Sequence, residues 1–99
     1  MNEKNGDLTN GKDNISQEQD ALELGKFYFY NGRYAEAIES FNRTLQINKN
    51  NEEAYYNLGL IYENQNAKDL AQKMFERALQ INPDYKKANQ HLNKLKGLK

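Results

Sequence analysis

Apolar residues recur along most of this chain at the three- and four-residue spacing of one helical face. "YAEAIESFNRTLQI" places Tyr34, Ala37, Ile38, Phe41 and Leu45 on one side of a helix over 34–47. "LAQKMFERALQI" repeats the pattern with Ala71, Phe75 and Leu79. Between them, "YYNLGLIY" is apolar enough for a core yet carries Gly59, which costs a helix about 1 kcal/mol relative to alanine. The pattern predicts five helices, near 17–31, 34–47, 52–65, 68–81 and 84–97.

The segments are copies of one unit. Residues 18–51 laid over 52–85, a shift of 34, match at 11 positions: Glu18/Glu52, Leu24/Leu58, Gly25/Gly59, Tyr28/Tyr62, Ala37/Ala71, Phe41/Phe75, Arg43/Arg77, Leu45/Leu79, Gln46/Gln80, Ile47/Ile81 and Asn48/Asn82. A period of this length built from helical segments points to stacked helical pairs. Gly25 with Ala37, and Gly59 with Ala71, are read as facing small residues that let the two helices of a unit approach closely, so that burial gained around them outweighs the glycine's cost. Gly32 and its counterpart Asn66 suit a left-handed turn between those helices.

"AYYNLGLIYENQNAKDLAQKMFERALQINP" resembles a tetratricopeptide repeat, with Tyr55, Leu58, Gly59, Tyr62, Ala71, Phe75, Ala78 and Pro83 at signature spacing. The first copy matches at Leu24, Gly25, Tyr28, Ala37 and Phe41, and departs at Ala21, Thr44 and Lys49. The resemblance implies an all-α fold, a short right-handed α-solenoid of two helix-turn-helix repeats (18–51 and 52–85) plus a C-terminal capping helix (84–97). In the cap, Ala88, Leu92 and Leu95 keep the inward pattern and Leu98 extends it. Asn93 and Lys96 replace the packing glycine and tyrosine, making the far face polar. Two repeats and a cap are few for a solenoid, so modest stability is expected.

Ahead of the repeats, "MNEKNGDLTNGKDNIS" is too polar to offset the entropy of ordering it, and a flexible tail is expected over 1–16. The spacing of Ser16 and Gln19 suits a capping box that would start the folded domain, 17–99. The tail folding over a binding surface to control access is a further expectation.

The 14 basic and 14 acidic residues cancel, which gives no general field toward nucleic acid or acidic lipid. Lys86, Lys87, Lys94, Lys96 and Lys99 leave a local excess of five positive charges at the C-terminal end. They are read as solvating the outside of the cap, since no aromatic stands among them to suggest a nucleic-acid contact. The chain has no cysteine, no apolar run long enough to cross a membrane and no signal-peptide core near its start, so the expectation is a soluble cytoplasmic protein. With one histidine, no phosphate-cradling loop and no nucleophile turn, neither an enzyme nor a cofactor is expected. Glu52 and Glu53 are read as helix-start acids favoured by the dipole.

The resemblance implies that the first helix of each repeat lines a concave groove for peptides or partner segments. Carried over by position, the groove residues are Leu22, Lys26, Phe29, Tyr30, Tyr56, Asn57, Leu60, Lys87, His91 and Lys94. Leu22, Phe29, Tyr30, Tyr56 and Leu60 would form an exposed apolar strip rimmed by Lys26, Lys87, His91 and Lys94, suited to a protein or peptide with apolar anchors and acidic character. Phe29 and Tyr30 have a second reading, packing against the tail or the next turn. Some family members grip the terminal carboxylate of a chaperone peptide with five side chains, of which only Asn57 and Lys87 match here, while Leu22, Lys26 and His91 stand at the other three places. Two function classes remain open at this level: an adaptor or scaffold binding a partner in the groove, and a structural homo-oligomer that uses the same strip or the open end of the solenoid.

Overall fold

The computed structural model describes residues 4–97, with side chains from residue 14 onward. The described residues form five helices: α1 (Lys4–Tyr30), α2 (Tyr34–Ile47), α3 (Glu52–Asn64), α4 (Lys68–Ile81) and α5 (Lys86–Leu95). α1 pairs with α2 and α3 with α4, and α5 packs on α4. The result is an all-α solenoid of two helical pairs and a closing helix.

The cores show why the repeat pattern recurs. Leu22 of α1, Ala37 and Phe41 of α2, and Ala54, Leu58 and Ile61 of α3 form one buried cluster. Ala71, Phe75 and Ala78 of α4 join Ala88 and Leu92 of α5 in the next. Leu95 packs at the edge of that second cluster, as the inward pattern of the cap predicts. Leu98 lies outside the described residues.

Nearest to each packing glycine is a phenylalanine ring, which the expected pairing with alanine did not name. A Cβ built on Gly59 would lie 2.5 Å from Cε1 of Phe75, and one on Gly25 would lie 2.6 Å from Cε1 of Phe41. Each glycine therefore admits the phenylalanine ring, four residues beyond the alanine. Both rings are fully buried. The expected alanines, Ala37 and Ala71, are themselves inaccessible to solvent.

The turns behave as read. Gly32 has φ +74° and Asn66 has φ +63°. In each repeat the amide after this residue closes back on the preceding helix: Arg33 N–H donates to the Tyr28 carbonyl and Ala67 N–H to that of Tyr62, both at 2.8 Å. The second kind of turn is tied by Asn48 and Asn82, whose side-chain oxygens accept from the amides of Asn50 and Asp84. The Asn51 side chain caps α3 by accepting from Ala54 N–H at 2.9 Å. Glu18 then holds this corner to α1, accepting from Asn48 and Asn51, each at 2.8 Å.

Three helix limits differ from expectation by two residues or more, the start of α1 and both ends of α5. α1 begins at Lys4 and runs unbroken through Ser16, so Ser16 is not an N-cap and no break in the helix marks residue 16. Extending an anchored helix avoids the cost of nucleation, and residues 4–16 contain no proline to stop it. Control of the groove by the tail's side chains lies outside the described residues, which carry side chains only from residue 14. α5 stops at Leu95, two residues short of expectation, because the chain turns at Gly97 with φ +75°.

Candidate functional site

Successive first helices place α1, α3 and α5 side by side, and α3 is the spine that joins its neighbours. From the start of α3, Glu53 Oε2 accepts from Lys26 Nζ of α1 at 2.9 Å. From its end, Glu63 Oε1 lies 2.9 Å from Nδ1 of His91 on α5; with the proton on Nδ1, the ring donates to the carboxylate. The hydrogen bond to Glu53 raises the Lys26 pKa above the usual lysine value, against a smaller lowering by burial. Glu53 thus does more than face the helix dipole, and Glu63 has the equivalent bridging role.

Tyr56 sits midway along this face. Its ring centroid is 5.0 Å from that of Tyr85, 5.8 Å from His91 and 5.9 Å from Phe75, and the His91 ring stacks on Phe75 at 5.3 Å. Burial pushes the Tyr56 hydroxyl pKa up, with Glu63 and Tyr30 adding to the effect. Tyr85 is pushed up further, again mainly by burial and then by Glu53, Tyr56 and Glu52. Sequence reasoning missed Tyr85. It occupies the position at which Asn51 caps α3 but makes no side-chain cap to α5, and its ring packs instead. A tyrosine in a capping position was the available signal.

The ten residues expected in the groove divide by depth. Leu22 is only 4 % exposed and belongs to the core, so it is not part of an exposed strip. The reason is the third helix: the position lies where α1, α2 and α3 meet. Asn57 is also buried, and its amide donates to the Glu53 carbonyl at 2.9 Å. Lys26, Phe29, Tyr56, Leu60 and His91 are half-buried. Phe29 packs 5.9 Å from Tyr34 and 5.6 Å from Tyr30, which supports the packing reading for Phe29. Tyr30 projects, 77 % exposed, and Lys87 and Lys94 are exposed on α5. The five-residue carboxylate grip is not assembled: Leu22 and Asn57 are buried and Lys26 is held by Glu53.

Among the described residues, no helix is long and apolar enough to cross a membrane, and no group of three or more His, Cys, Asp or Glu side chains could hold a metal ion.

This arrangement of paired helices is that of the tetratricopeptide repeat, and comparison with known proteins agrees. A TPR repeat model matches residues 25–66 and a tetratricopeptide repeat model matches residues 52–85. The chain belongs to the tetratricopeptide repeat family, a non-catalytic protein-interaction fold. It is 31 % identical over 81 residues to tetratricopeptide repeat protein 14 of Mus musculus, and 30 % identical over 69 residues to the peroxisomal targeting signal receptor of Candida glabrata. Those matches cover 82 % and 70 % of this chain but only 11 % and 12 % of the relatives. Among solved structures, MamA is similar at TM-score 0.75 with 28 % identity, over 82 % of this chain and 46 % of that one. The first TPR of Spaghetti (RPAP3), bound to the HSP90 peptide SRMEEVD, is similar in fold at TM-score 0.73 with 23 % identity, over 78 % of this chain and 61 % of that one.

Proposed function

We propose that the concave face of α1, α3 and α5 binds an extended segment of another protein, making this chain an adaptor or scaffold without catalytic activity. The observation that carries the reading is Tyr56, fixed by rings from α4 and α5 while staying partly open at the centre of the face. A rigid, half-open aromatic loses little entropy on contact and offers both ring area and a hydroxyl. Tyr30 and Leu60 extend the apolar contact to either side. Lys87 and Lys94 give one flank a positive rim, so the favoured segment has apolar anchors followed by acidic residues.

The peptide ligand of the RPAP3 repeat and the receptor role in the name of the yeast relative support a peptide partner in general terms. The specific carboxylate grip does not carry over, for the reasons of burial given above. A cysteine-free chain suits a cytoplasmic setting, which is the setting we propose.

The test is selection of peptides from a displayed random library on the wild-type chain, followed by binding to a Tyr30→Ala, Lys87→Glu, Lys94→Glu variant. All three positions are exposed, so the fold is retained. The proposal expects acidic, aromatic-anchored peptides whose affinity falls at least about tenfold on the variant. Peptides that bind both chains equally would place recognition elsewhere.

A further inference from the structure

The N-terminal end of the solenoid carries a second surface. Asp20, Leu24 and Phe27 of α1 occupy the repeat positions of Ala54, Leu58 and Ile61 in α3. The α3 residues are at most 2 % exposed beneath α2, whereas Leu24 is 46 % and Phe27 57 % exposed. One repeat position thus has two environments, a core where a helix covers it and, among the described residues, apolar surface that no helix covers.

The end face is also recessed. Gln17, Asp20, Ala21, Leu24, Ser40 and Arg43 enclose a hollow of about 240 Å³ between α1 and α2. Ala21 and Ser40 stand at the positions that Tyr55 and Met74 hold in the second repeat, and their small size opens it. The ring of Phe27 projects from the same face: at 100° per residue, Gln17, Asp20, Leu24 and Phe27 fall within one quadrant of α1.

Knob and hollow therefore lie on one surface, with Phe27 three residues to one side of Leu24 and Ala21 three to the other. That placement is self-complementary. An antiparallel pairing of two α1 helices about a two-fold axis at Leu24 sets Phe27 of each copy against the Ala21–Ser40 hollow of the other, as isologous contact requires. The rim bears Asp20 and Arg43, one charge of each sign, and the chain's formal charge is zero, so identical faces meet without net repulsion. We infer that the α1–α2 end face docks on a second copy of this chain to form a two-fold dimer, leaving the concave faces of α3 and α5 open in both copies.

Sedimentation equilibrium of the full chain across a wide concentration range tests the inference. The expected result is a monomer–dimer equilibrium that Phe27→Lys weakens at least about tenfold and that Tyr30→Ala, on the concave face, leaves unchanged. Phe27 is exposed, so circular dichroism is expected to show the variant fully helical. Because the chain has no cysteine, a Leu24→Cys variant gives an independent reading: across the two-fold axis it oxidises to a disulfide dimer much faster than a Lys73→Cys control on α4. A monomer at every concentration, a dimer indifferent to Phe27→Lys, or bridging no faster than the control overturns the inference. The first of these would leave the face to a helix from a different protein.

Discussion

The ring of Phe75 occupies the space that any side chain on Gly59 would need. A Cβ there would come within 2.8 Å of three ring carbons, and the ring is fully buried. Alanine at Gly59 gains about 1 kcal/mol in helix propensity but meets an overpacking cost of about 1–3 kcal/mol. Gly59→Ala is therefore expected to lower stability by about 1–2 kcal/mol, measured by urea unfolding. Phe75→Leu in the same chain removes the conflict, so the double variant is expected to be less unstable than the two separate losses predict.

Gly32 and Asn66, the left-handed residues of the two repeat turns, respond differently to substitution. Gly32→Ala forces a Cβ into the positive-φ region and is expected to cost about 1 kcal/mol. Asn66→Gly relieves that strain but loosens the unfolded chain, for a net change within about 0.5 kcal/mol. The urea midpoints of the two variants check both: a clear drop for Gly32→Ala and little change for Asn66→Gly.

The Lys26–Glu53 link between repeats is partly open to solvent, with side chains 26 % and 43 % exposed. Solvent screening limits its coupling to about 1 kcal/mol at most. A double-mutant cycle with Lys26→Met and Glu53→Gln is expected to give a coupling of that size, shrinking as salt is raised. A coupling unaffected by salt would contradict the solvated pair described here.

Stability is expected to fall in alkali. Tyr85, Tyr56 and Lys26 all have folded-state pKa values above their ordinary ones. For each, the unfolded chain releases its proton first, so stability is whole below about pH 10 and declines as pH rises from there toward the folded values. Thermal melts through this range check the decline. Tyr85→Phe is expected to flatten it, because burial of that hydroxyl gives the largest shift.

The helical repeat was readable because it rests on local spacing: Leu58, Gly59, Tyr62, Ala71 and Phe75 recur by position, and Gly32 and Asn66 mark the turns. What escaped depends on a third body. Leu22 reads as a groove residue on an isolated helix and becomes core only when α3 lies beside it. Gly59 reads as a partner for Ala71, and the closer approach of the Phe75 ring shows only in the packing. Leu24 and Leu58 are the same residue at the same repeat position, yet α2 covers Leu58 while Leu24 stays half exposed among the described residues. Tyr85, a capping position in sequence, acquires its place under Tyr56 from packing between α3 and α5.

The most direct test of the concave face as the binding surface is site-specific photo-crosslinking in native cell extract. The photoreactive side chain would be placed at Tyr30 or Lys94 in one set of chains, and at Lys73 or Gln80 on α4 in another. The account predicts one discrete protein adduct shared by the Tyr30 and Lys94 positions and missing from the α4 positions. An adduct equally strong from α4, or formed only there, would contradict a concave binding surface.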